Sequence, residues 1–138
     1  METIHLNPEE LTAESRSDAM AHGNVPVVLS LSSFDVPRAI NVERNDPTLL
    51  RITFQYVDYE ARVDRSVGPD LIVWLGKDSG KVLGFELKRV PHQKPRDVIV
   101  RIVHGVDEQL RRATRDNQRL NYALIKRVLE RRVEPALA

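Results

Sequence analysis

Cysteine is absent from this chain, aromatic residues make up only 5% of it, and no apolar run is long. Each shortage excludes something. Without cysteine there is no disulfide scaffold, no thiolate-ligated zinc or iron–sulfur site and no thiol nucleophile, and the expected compartment is the cytoplasm. Three Phe, three Tyr and one Trp are too few for a single-strand nucleic-acid surface of stacked bases. The longest apolar stretches, Val25-Pro26-Val27-Val28-Leu29 and Leu71-Ile72-Val73-Trp74-Leu75, fall far short of the roughly 20 residues a membrane helix needs. Met1-Glu2-Thr3-Ile4-His5 contains no basic segment leading into an apolar one, so neither secretion nor a membrane partner is expected.

What is present is a foldable composition. Of 138 residues, 41% are hydrophobic and 30% charged, which fits a single domain over residues 1–138. A chain of this length buries roughly 68–70% of its unfolded surface and needs no crosslink or metal to do so. The net charge of +1 hides an asymmetry. Residues 1–87 hold 8 basic and 14 acidic side chains, a balance of −6, whereas residues 88–138 hold 13 and 6, a balance of +7. Such complementary halves point to a basic segment that meets nucleic acid, or to an acidic surface of this chain or of a second copy.

The patterning divides the chain in three. Asn7-Pro8-Glu9-Glu10 has the form of a helix start and His22-Gly23-Asn24 of a stop, which predicts a helix over 7–22 with a sparse apolar face. Period-two alternation then predicts a β-meander over 25–89. Its first strands are Val25–Ser32 and Val36–Glu43, each carrying a proline (Pro26, Pro37) that favours an edge. Leu50, Ile52, Phe54 and Tyr56 share one parity and Val57, Tyr59, Ala61 and Val63 the other, so a strand with a bulge or a strong bend near Tyr56-Val57 is expected. In Asp70–Arg89, Lys77-Asp78-Ser79-Gly80-Lys81 predicts a three-residue hairpin loop with Lys77 opposite Lys81 and Gly80 left-handed. That register sets Val73 against Phe85, Leu75 against Leu83 and Leu71 against Leu87. Its other face carries Ile72, Trp74 and Val82, then Asp70, Glu86 and Lys88. Beyond Pro91 and Pro95, apolar residues at spacings of three and four predict two helices over 97–132, joined near Thr114–Asn117. The expected fold is therefore α+β: an antiparallel meander of about five strands, an N-terminal helix, and C-terminal helices packed on one sheet face.

Two resemblances arise at the hairpin. Asp46-Pro47-Thr48-Leu49-Leu50-Arg51-Ile52-Thr53-Phe54, then Val67-Gly68-Pro69-Asp70-Leu71-Ile72-Val73 and Asp78-Ser79-Gly80-Lys81-Val82-Leu83-Gly84-Phe85-Glu86-Leu87, resemble the small bacterial domain of unknown function 2283. The resemblance covers about residues 46–90 and implies a short antiparallel meander but no activity. Pro69-Asp70 followed by Glu86-Leu87-Lys88 is similar to the motif of the PD-(D/E)XK nucleases. That resemblance implies that Asp70 and Glu86 hold Mg²⁺ while Lys88 steadies the attacking water. The alternative reading of the same three residues is a cross-strand ion pair on a wet sheet face.

Other chemistry is thinly supplied. Gly76-Lys77-Asp78-Ser79-Gly80-Lys81-Val82 has the wrong spacing for a phosphate loop, and His5, His22, His92 and His104 have no ligand spacing. The leading expectation is a non-enzymatic binding or assembly module without a cofactor. Its interaction surface is the basic helical face, Arg111, Arg112, Arg115 and Arg119, with the apolar stripe Leu120, Leu124 and Val128 supplying burial against a second copy or another protein. Nucleic acid is a possible partner of the same face, and a Mg²⁺-dependent nuclease is the alternative.

Overall fold

Alternating apolar residues draw the middle of the chain into strands, and the strands pair into one sheet. The computed structural model describes residues 2–7, 33–46, 48–88 and 94–138. Its strands are β1 (Glu2–His5), β2 (Ala39–Asp46), β3 (Leu49–Gln55), β4 (Arg62–Val67), β5 (Leu71–Gly76) and β6 (Val82–Lys88). Their order in the sheet is β1-β2-β3-β6-β5-β4, and every pairing is antiparallel. Then follow α1 (Pro95–Arg112), α2 (Asp116–Val128), a π-helical turn (Leu129–Val133) and α3 (Glu134–Leu137). The class is α+β, as the patterning predicts. The helix expected over 7–22 and the strand expected over Val25–Ser32 lie, apart from Asn7, outside the described residues.

The sheet departs from the expected five-stranded meander in three ways. It has six strands, because Glu2–His5 pairs with β2; with Ile4 as its one large apolar residue, β1 carries no alternation to read. β2 starts at Ala39, after a single 3-10 turn at Ser33–Asp35, and Pro37 therefore precedes the strand and leaves β2 free to pair on both sides. The parity switch at Tyr56-Val57 marks the place where the chain leaves the sheet after β3, not a bulge or bend within one continuous strand. Residues 56–61 run across the turn end of the β5–β6 hairpin and deliver β4 to the far edge, so β3 neighbours β6 instead of β4.

The hairpin itself forms as expected at its base and differs at its tip. Val73 faces Phe85, Leu71 faces Leu87, and Gly80 is left-handed at φ +74°. The closing pair is Gly76 with Lys81: the Gly76 N–H donates to the Lys81 carbonyl at 2.8 Å, and the Gly80 N–H to the Gly76 carbonyl at 2.9 Å. The loop thus has four residues, 77–80. Trp74 pairs with Gly84 but Leu75 with Val82, which leaves Leu83 as an extra, bulged residue. The bulge turns Val82 off the open face and into the core.

One sheet face is apolar, and the helices cover it. Ile40, Val42, Leu50, Ile52, Phe54, Val73, Val82, Phe85 and Leu87 pack against Val98, Ile99, Ile102 and Val106 of α1 and Tyr122, Leu124, Ile125 and Val128 of α2. Each such side chain contributes roughly 1.5–3 kcal/mol by leaving water, and Phe54 and Phe85 meet edge to face at 5.9 Å. The Lys126–Asp107 ion pair at 2.7 Å ties α2 to α1. The opposite sheet face is mostly polar, and its largest apolar side chain, Trp74, is only 6% exposed. The Arg62 guanidinium lies 4.2 Å over its ring, and Gly84 makes room beneath it. Among the described residues no helix is long and apolar enough to cross a membrane.

Candidate functional site

At the turn end of the hairpin the sheet is closed by a polar frame built from residues 56–61 and α2. Lys81 is 3% exposed; its ammonium donates to Asp58 Oδ1 at 2.7 Å and the Phe34 carbonyl at 2.9 Å, lies 3.9 Å from Glu60 Oε2, and faces the Tyr56 ring at 4.4 Å. Glu60 in turn accepts from the Asp78 and Ser79 N–H groups at 2.7 and 2.6 Å and from the Ser79 hydroxyl at 2.7 Å. Burial would raise the Glu60 carboxyl, but the Ser79 and Asp78 bonds and the Lys81 charge outweigh it and hold the group below its ordinary value. The hydrogen bond from Lys81 does the same for Asp58. Burial pushes the Tyr56 phenol well up, so it stays a donor, to the Val82 carbonyl at 2.6 Å. With its polar groups partnered, the frame holds the turn in place.

From the helix side Arg115, Gln118 and Tyr122 grip the same turn. Arg115 donates to the Asp78 and Ser79 carbonyls at 3.0 and 2.8 Å, and the Tyr122 hydroxyl to the Gly80 carbonyl at 2.5 Å. Between these contacts and the edge strand opens a cleft of about 250 Å³. Arg65 and Lys77 line it from the sheet, Arg112 and Arg115 from the helix junction, and among the described residues no carboxylate lines it. Arg65, Lys77 and Arg112 have no ion-pair partner among the described residues. Arg65 reaches the cleft because its parity in β4, opposite Val73, points it to the helix side beyond the end of α1. Burial raises the Tyr122 phenol, while Arg115 and Arg65 oppose that shift, so both guanidinium fields converge there. Gln109, 6% exposed, also lines the cleft. Arginines 111 and 112 also complement the carbonyl end of α1.

The residues singled out from the sequence are distributed differently. Arg112 and Arg115 line the cleft. Arg111 pairs with Glu108 at 3.0 Å, and Arg119 donates to the Ala113 carbonyl at 3.3 Å. Leu124 and Val128 are each 1% exposed and Leu120 is half-buried. The stripe expected to bury against a partner is therefore packed largely into its own core. Asp70 lies opposite Lys88, whose N–H donates to the Asp70 carbonyl at 2.8 Å. The carboxylates take other partners, however: Asp70 lies 3.7 Å from Arg101 of α1, and Glu86 lies 3.8 Å from Arg51, its neighbour on β3. Among the described residues no three His, Asp or Glu side chains cluster in a way that would hold a metal ion. Arg65, Lys77 and Gln109 were invisible as site residues in the sequence. They are far apart along the chain, and only the crossover to β4 brings Arg65 to α1.

Compared with known proteins, the chain matches no family model, no curated protein and no solved structure.

Proposed function

We propose that this chain is a cytoplasmic binding module, not a catalyst, that docks an anionic partner on the basic junction of α1 and α2. The observation that carries this reading is the cleft itself: Arg65, Lys77, Arg112 and Arg115 surround it with no carboxylate among them. Unneutralised cations repel one another, and a complementary anionic surface relieves that repulsion while steering the encounter. An acidic protein surface is the favoured partner, and residues 1–87 of a second copy are one such surface. The test is fluorescence anisotropy with labelled polyglutamate and labelled duplex DNA at several salt concentrations. Polyglutamate binding that weakens with salt, and disappears when Arg111, Arg112, Arg115 and Arg119 become Ala, supports the reading. Tighter binding to DNA with the same loss assigns the arginines to phosphates instead.

A metal-dependent nuclease is the second reading, and the observation in its favour is the strand register that sets Asp70 opposite Lys88. Arginine partners on both carboxylates fit an ion-pair role better than a divalent cation. Magnesium- or manganese-dependent cleavage of nucleic acid, abolished by Glu86→Gln, would replace the binding module with this alternative.

A further inference from the structure

We infer that β4 is a homodimerisation edge: two copies of the chain join their β4 strands antiparallel about a twofold axis at Val63, so that their sheets become one.

The backbone leaves this edge open. Among the described residues β4 pairs with β5 and with no other strand. The Lys77 N–H donates to the Ala61 carbonyl at 2.8 Å, and successive residues of a strand turn their backbone groups to opposite sides. Val63, Arg65 and Val67 therefore bond β5, while Arg62, Asp64 and Ser66 present N–H and C=O to the outside. Strand edges are commonly guarded against pairing by lysines, prolines or bulges. β4 has none of these: its register with β5 runs unbroken from Arg62 to Val67, and it contains neither lysine nor proline.

The charges on the strand choose the partner. In an antiparallel pair of such edges even-numbered residues must face even-numbered ones, which puts the twofold axis on a residue and not between two. Centres at Arg62, Asp64 or Arg65 bring like charges face to face. Centres at Ser66 or Val67 run the pairing into Gly68, left-handed at φ +71°, and Pro69, which has no N–H. A centre at Val63 is self-complementary: Arg62 faces the partner's Asp64, Asp64 faces the partner's Arg62, and the two valines meet on the axis. Val63 is 37% exposed in the single chain, so pairing covers an apolar side chain that the monomer leaves in water. Arg62 is already held, 3.5 Å from Asp64 and 4.2 Å over the Trp74 ring, so little further side-chain freedom is lost on docking. A contact one strand wide belongs with the small interfaces, below about 1,200 Å² in total, that form reversibly. Val63 also lines the basic cleft, and the twofold axis therefore sets the two clefts side by side on the helix face.

Sedimentation velocity of the full chain from about 5 to 500 μM should show a reversible dimer. Arg62→Asp alone and Asp64→Arg alone each set like charges across the pair and should weaken self-association by about tenfold or more. An equimolar mixture of the two variants should regain the parent's dimer, because every facing pair then has opposite signs. Circular dichroism checks that each variant is folded. Should Arg62→Asp not fold, Asp64→Pro takes its place: the lost N–H faces outward, the ladder to β5 keeps its bonds, and the dimer should disappear. Hydrogen exchange at the Arg62, Asp64 and Ser66 amides should slow as concentration rises. A monomer over the whole range, or a mixture that fails to associate, overturns the inference. Protection of those three amides in the monomer also overturns it, by assigning the edge to another segment of the same chain. A dimer indifferent to the β4 changes but lost when Arg111, Arg112, Arg115 and Arg119 become Ala puts the second copy on the basic cleft, and so overturns the edge while keeping the docking face.

Discussion

Asn121 of α2 completes the edge of the bulge at Val82: its Oδ1 accepts the Val82 N–H at 2.9 Å in a site from which water is excluded. The same amide donates to the Asp35 carbonyl at 2.9 Å and the Tyr56 hydroxyl at 3.1 Å. One side chain therefore joins the helix layer, the 3-10 turn, the crossover and the hairpin. Apolar packing alone would not specify how these meet, since leucine could fill the volume in several arrangements.

Replacing Asn121 with Leu should accordingly cost more than an ordinary surface change. It strands the Val82 N–H in the core, where an unmade bond costs about 1–3 kcal/mol. Urea unfolding of Asn121→Leu should show a midpoint shift of that size with an unchanged m-value; a shift below about 0.5 kcal/mol would mean that water replaces the amide.

Glycine is required at two positions for different reasons, and the two should rank differently. At Gly80 the backbone is left-handed at φ +74°, and a Cβ would meet the end of the Gln118 side chain, which can move. Gly80→Ala should cost about 1–2 kcal/mol, chiefly from backbone conformation. At Gly84 a Cβ would meet the Ile52 carbonyl of the neighbouring strand and lie 2.7 Å from the Trp74 ring, neither of which yields easily. Gly84→Ala should cost about 3 kcal/mol, the upper end of the usual range for core overpacking. Thermal denaturation that ranks Gly80→Ala as the more damaging would contradict this account of the β3–β6 contact.

These elements also show where local pattern stops being informative. Leu71, Val73, Phe85 and Leu87 repeat on one parity in both arms of the hairpin, and that pattern determines the register because a one-residue slip would expose all four. No comparable pattern exists in Arg62–Val67, whose strand is made by pairing to β5 and not by its own burial. The crossover from β3 to the far edge is a property of the whole sheet, which is why Leu50–Val63 reads as one strand in the sequence. Helical periodicity correctly groups Leu120, Leu124 and Val128 on a face, but periodicity is the same whether a face meets the chain's own sheet or a partner. Of the cleft, only Arg112 and Arg115 stand out, as members of a basic run. Gln109 becomes noticeable only once its place in the cleft lining is known.

Asp70 and Glu86 should contribute little to stability through their ion pairs. Arg101 and Arg51 stand at 3.7 and 3.8 Å from them, too far for the charge-assisted hydrogen bonds that make such pairs strong, so little net energy lies in either contact. Asp70→Asn and Glu86→Gln should each change stability by less than about 1 kcal/mol. A loss above about 2 kcal/mol in chemical denaturation, with no change in folded-state spectra, would show that the pairs are structural.

The acid limb of stability should trace to the frame behind the turn. The carboxyls of Glu60 and Asp58 have ordinary values of 4.5 and 3.8 and are held lower in the folded chain. Unfolding returns them to the ordinary values, so over this interval the unfolded state binds more protons and stability rises with pH. Their contribution is complete above about pH 4.5 and disappears as pH falls through the lowered folded values. Glu60→Gln keeps an acceptor for the Ser79 and Asp78 N–H groups but removes the charge that faces Lys81, and at pH 7 should cost about 1.5–3 kcal/mol, the usual worth of hydrogen bonds to a charged group. Measured from pH 7 to 3, the gap between the parent and Glu60→Gln should be constant down to about pH 4.5 and then narrow, because only the parent has that charge to lose. Parallel curves over the whole range would mean that Glu60 titrates alike in the folded and unfolded chain, and that its grip on the turn owes nothing to ionisation.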